Sequence, residues 1–134
     1  MHPKQIELEG QLHRMCLELD NHLEDKFGSM FPLHPNREKR GKAASGNYDG
    51  LFSTGLQFTN GYGSSLGRGY LLDIDISTLS WVTKNDILKI EEESINFIKL
   101  ILPKHFPNRK LDIKRDQNVI KLIGDFSLGI SETN

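Results

Sequence analysis

The chain has 134 residues, with 17 Lys+Arg against 18 Asp+Glu and a hydrophobic share of 37%. Charge this close to balance excludes a protein that coats nucleic acid by bulk positive charge, and the apolar content excludes a disordered chain. One cysteine, Cys16, excludes an internal disulfide and a cysteine-based zinc site.

The length suits one α+β domain over 1–134. No apolar run is long enough to span a bilayer and no leader-like apolar stretch opens the sequence, so the chain reads as cytoplasmic and without membrane contact. The first predicted element is a helix over 6–27. Leu8, Leu12, Met15, Leu19, Leu23 and Phe27 recur at steps of three and four and make one stripe. Cys16 lies beside that stripe and reads as a small core residue. Glu7, Glu9, Glu18, Asp20, Glu24 and Asp25 lie mostly off it and read as a solvated acidic face, with Gly28 as the stop. His13 and His22 border the stripe as surface histidines. A helix of this length is also able to contribute to a homodimer interface.

Residues 28–50 show no period and are punctuated by Pro32, Pro35, Gly41, Gly46 and Gly50. An irregular stretch of this length draws attention as a functional loop. It carries the cations Arg37, Lys39, Arg40 and Lys42, with Tyr48 nearby, a combination suited to phosphate contact and base stacking. Two strands are expected within 51–80. In the second, Tyr70, Leu72, Ile74 and Ile76 take one face and Leu71, Asp73, Asp75 and Ser77 the other. The loop between them is rich in glycine and holds Tyr62, Gly63, Ser64, Ser65 and Arg68. Glycine lets backbone N–H groups converge on an anion, and an arginine clamps a phosphate in two places. Tyr62, between two glycines, is the aromatic expected to be exposed, whereas Phe58 and Trp81 read as core or as helix-sheet contacts.

A second helix is expected over 84–102, with Thr83 and Asp86 as a capping box and Pro103 as its stop. A hairpin then follows, 110–115 and 119–124 around Asp116-Gln117-Asn118, and a loose tail over 127–134. Arg109, Lys110, Lys114, Arg115 and Lys121 add charge here, and form a basic surface if they share a face with the loop cations. The element order is αββαββ. Its simplest architecture is a mainly antiparallel four-stranded sheet with both helices on one face.

Asp73 and Asp75 lie two apart on one strand, side by side, an arrangement that holds a divalent cation through oxygen ligands or that simply faces water. Gly63-Ser64, then Asp73-Ile74-Asp75 on a strand, then Leu111-Asp112-Ile113 after a helix, resembles the signature of the polymerase-beta-type nucleotidyltransferase superfamily. The resemblance covers about half the chain. It implies that Gly63 and Ser64 hold nucleotide phosphates and that Asp73, Asp75 and Asp112 hold Mg2+ for nucleotidyl or phosphoryl transfer. No nucleophile with its base is recognisable, so no catalytic residue is assigned. Three readings follow: binding of a phosphate-bearing small molecule or RNA through Arg37, Lys39, Arg40, Lys42, Gly63, Ser64, Ser65 and Arg68; metal-dependent transfer; and a protein-interaction module or homodimer.

Overall fold

The apolar stripe of the first segment makes one long helix, α1 (Pro3–Phe27), which buries Leu8, Leu12, Met15, Leu19, Leu23 and Phe27 as its spacing requires. The computed structural model describes residues 3–41 and 49–126. The expected tail over 127–134, and Lys42 and Tyr48, lie outside the described residues. After α1 come β1 (Phe52–Thr59), β2 (Gly69–Ile76), α2 (Lys84–His105), β3 (Leu111–Asp116) and β4 (Val119–Gly124). They form one four-stranded antiparallel sheet in the order β1-β2-β4-β3. The α+β class and the order αββαββ are as the sequence predicts.

β1 and β2 pair from Phe52↔Ile76 to Thr59↔Gly69. β3 and β4 pair from Leu111↔Gly124 to Asp116↔Val119 around a two-residue turn, in which Gln117 takes φ 57. The join between the hairpins is short, since β2 and β4 pair only at Tyr70↔Leu122, Leu71↔Lys121 and Leu72↔Ile120. Alternation sends Tyr70, Leu72, Ile113, Ile120 and Leu122 to the helix side, where they meet Ile90, Ile98, Ile101 and Leu102 of α2 and the stripe of α1. Cys16 is buried there, and burial pushes its thiol up to about 12, so it stays protonated and inert.

Three expectations are corrected. The second helix runs past Pro103 to His105. A proline this near the C-terminus costs only one backbone donor, and the Phe106 N–H closes the end on the Leu102 carbonyl. Glu18 accepts from Lys104 at 2.6 Å and from His105, which tethers that last turn to α1 and holds the Glu18 carboxyl below its ordinary range. Trp81 is 83% exposed and Phe58 more than half exposed, so neither is core. Trp81 stands in the connection just before the cap of α2, and Phe58 lies near the far end of β1 in a T-shaped contact with Tyr70. Lastly, Asp20 and Glu24 do not face water. Asp20 is 1% exposed and accepts from both the N–H and the hydroxyl of Thr54, at 2.7 and 2.6 Å. Glu24 accepts from the N–H groups of Leu51 and Phe52, at 2.8 and 3.4 Å.

Candidate functional site

The basic loop folds inward. Arg37 donates to the carbonyls of Gly50 and Asp49, at 3.0 and 3.1 Å. Arg40 donates to Asp49 Oδ1 at 3.0 Å and to the Phe52 carbonyl at 2.6 Å, and lies 3.7 Å from Glu24. Asp49 is buried and also accepts the Gly41 N–H at 2.7 Å. Gly50 is required here: its φ is +77°, and a Cβ would stand 2.7 Å from Arg40 Nε. Both arginines therefore serve as internal clamps that hold the loop to β1. Lys39 is exposed and makes no hydrogen bond or ion pair among the described residues.

The glycine loop is held by a lysine. Lys121 is 2% exposed, and its ammonium donates to Ser64 Oγ at 2.8 Å and the Gly67 carbonyl at 3.0 Å while pairing with Asp116 at 3.0 Å. Ser64 donates to Asp116 and accepts the Leu66 N–H at 3.1 Å. Hydrogen bonds from Ser64 and then Lys121 hold the Asp116 carboxyl below its ordinary range. Gly61, at φ +78°, lets the loop close on itself, because a Cβ would meet the Gly67 carbonyl at 2.0 Å. All three donors of Lys121 and the Ser64 hydroxyl are thus engaged by the loop and by Asp116 of β3. Gly63 and Ser65 are exposed, Tyr62 is 94% exposed, and Arg68 is exposed with no bond among the described residues. Lys121 carried no sequence signal of this role, since it reads as one more cation on an alternating strand.

The cations of the last hairpin do not share a face. Arg115 turns to the helix side and pairs with Glu91 of α2 at 3.0 Å, while Lys114 and Lys121 stand on the opposite side. The three aspartates are likewise separate. Asp73 and Asp75 project side by side from β2 on the open face of the sheet, both exposed. Asp112 is on β3, beyond β4, so about 10 Å of sheet lies between the two strands. The Asp112 carboxylate accepts its neighbour's N–H, that of Ile113, at 2.8 Å. Among the described residues no group of three or more His, Cys, Asp or Glu is placed to hold a metal ion.

One further place appears only in the fold. β4 leaves β2 after Leu72, yet β2 continues to Ile76. The Ser77 N–H bonds the Leu51 carbonyl at 2.8 Å, which fixes the alternation of the β1-β2 ladder. It follows that Ile74 and Ile76 turn their backbone groups away from β1, toward the side β4 has left. The Ile76 carbonyl there accepts the Thr78 N–H at 3.0 Å. Beside this margin is a cavity of about 420 Å3 whose lining includes Ile74, Ile76, Val82, Ile87, Ile90 and Val119, with Asp73, Glu91 and Asn118 as its polar members. Ile87 and Val119 are each about two-fifths exposed, and Leu79 and Trp81 stand open nearby in sequence.

A protein-family model described as "Uncharacterised protein" matches residues 3–124. The chain is also 48% identical over 120 residues, 90% of its own length and 94% of the relative's, to a Borreliella burgdorferi protein described as "Uncharacterized protein". No solved structure matches. Among the described residues no helix is long and apolar enough to cross a membrane.

Proposed function

The chain belongs to the family matched over residues 3–124, and we propose that it is a protein-interaction module that docks an extended segment of another polypeptide along the free margin of β2. One observation carries the reading: the Ile74 N–H and carbonyl and the Ile76 N–H face away from β1 beside a largely apolar cavity, the Ile76 carbonyl being taken by Thr78. An extended peptide satisfies both features at once. Its backbone continues the ladder, and every second side chain enters the groove. Asp73 and Asp75 argue against a second copy of this margin as the occupant, because two such margins would oppose four carboxylates.

The test uses a peptide of about ten residues alternating valine with serine, and the same peptide N-methylated at alternate positions. With the labelled protein, the plain peptide is expected to slow amide exchange at Ile74 and Ile76 and to move the signals of Ile87 and Val119. The N-methylated peptide, unable to pair, is expected to do neither. Equal binding of both forms, or of neither, overturns strand docking. A dimer in sedimentation that disperses on Ile74→Asp substitution would give the margin to a second copy instead.

A second reading places a phosphate-bearing ligand on the glycine loop. It is supported by Arg68, exposed and unpaired among the described residues, six positions after fully open Tyr62. ATP or a short RNA is then expected to shift Arg68 and Gly63 in a salt-sensitive way. Silence at both positions removes it.

A further inference from the structure

Building on the strand-docking reading, we infer that the docked segment alternates apolar with cationic residues, so that two lysines or arginines spaced two apart face Asp73 and Asp75. Four aspartates stand on the strands of the sheet. Asp112 is taken by the Ile113 N–H, and Asp116 by Ser64 and Lys121. The carboxylates of Asp73 and Asp75 are exposed and make no hydrogen bond or ion pair among the described residues. They are also the residues that flank Ile74, so they sit on the same free rungs as the groove, and Asp73 borders it.

Period two then dictates the partner. On a strand added beside Asp73–Ile76, side chains that enter the groove alternate with side chains on the open face. The open-face positions lie directly opposite or diagonal to Asp73 and Asp75, within about 5–8 Å. Opposite charge stabilises such cross-strand pairs, and like charge destabilises them. The free stretch is four residues, which is about 13 Å of strand, enough for two such pairs. The charged residues that line the groove are Asp73 and Glu91, and Glu91 is already paired with Arg115. An acidic segment is disfavoured by this layout, and so is a phosphate backbone.

Three peptides of about ten residues, alternating valine with lysine, with serine or with glutamate, test the inference on the labelled full chain at about 0.15 M salt. The lysine peptide is expected to bind about tenfold more tightly than the glutamate peptide, with the serine peptide between them. The Asp73→Asn, Asp75→Asn double variant is expected to bring the lysine peptide down to the serine peptide. Asp73→Lys with Asp75→Lys is expected to reverse the order. All four substitutions are on exposed strand positions, and retained Ile113 and Leu122 signals will verify the fold. Equal affinity for the lysine and glutamate peptides, or a preference that survives both double variants, overturns the charge inference while leaving docking intact. If none of the three peptides moves Ile74 or Ile76, the docking reading itself falls, and the inference with it.

Discussion

The rungs Phe52↔Ile76 and Thr54↔Ile74 have two margins, and they are treated in opposite ways. On the β1 side, Glu24 and Asp20, one turn apart on α1, reach down and accept the outward N–H groups of Phe52 and Thr54. On the β2 side, Ile74 and Ile76 turn their backbone outward beside a largely apolar cavity, and the strand's own carboxylates, Asp73 and Asp75, lie in the ladder's alternate positions. A strand margin is a template for pairing unless something blocks it. Here the same residue type closes one margin and leaves the other open, and the deciding factor is the element that carries it. From a neighbouring helix a carboxylate reaches an edge N–H. From the strand itself it projects out of the sheet.

The largest expected effect lies on the closed margin. Glu24→Ala leaves the N–H groups of Leu51 and Phe52 without their acceptor and Arg40 without one of its carboxylates. It is expected to cost about 3 kcal/mol in urea unfolding, with Glu24→Gln recovering most of the loss. An Ala variant within about 0.5 kcal/mol of the parent would break the comparison.

Asp20 sharpens it through pH. Burial raises its carboxyl from 3.8 to about 6, against the opposing hydrogen bonds of Thr54. A folded-state value above the unfolded one means that this group's contribution is complete below about pH 4 and is lost as pH rises through about 6. Asp20→Asn keeps an acceptor for Thr54 and removes the buried charge. It is therefore expected to abolish that decline and to be more stable than the parent at pH 7 by about 2 kcal/mol, below the roughly 3 kcal/mol implied by the whole displacement. Unfolding midpoints at about pH 4 and pH 7 decide it, and an unchanged decline in the variant refutes the assignment.

Lys121→Met is expected to cost about 1–2 kcal/mol, because Gly67 and Asp116 lose their donor. Its mark is local: amide exchange should accelerate across Gly61–Arg68 and not across β1. The smallest effect belongs to the open margin. Ile74→Thr should cost less than about 1 kcal/mol in stability, since the side chain is only half-buried, yet weaken the valine-serine peptide severalfold. Strong destabilisation there would mean that the margin is structural rather than a docking surface.

Much of the frame is legible in the residues. The stripe of α1, the alternation of β2, the capping box at Thr83 and Asp86 and the hairpin at Gln117-Asn118 all follow from local spacing and cap chemistry. The candidate sites were legible only as residue types. Arg37 and Arg40 read as phosphate ligands and are internal clamps, because nothing in their spacing reveals that Asp49 and Gly50 fold back on them. Asp20 and Glu24 read as solvated and are buried or half-buried, because the helix period says which residues leave the apolar stripe but not that a strand edge waits beside them.

The sequence by itself determined the six elements, their order, and which side of β2 is apolar, because those depend on contacts a few residues apart. Tertiary structure alone decided that β4 lies beside β2 for three rungs and then leaves it, that α1 lies along the other edge, and hence which carboxylates are spent on backbone and which stay free. Periodicity reports the face a side chain takes on its own element. The neighbour it meets there is set by pairings between distant segments, which form to bury the core and carry no mark in local spacing.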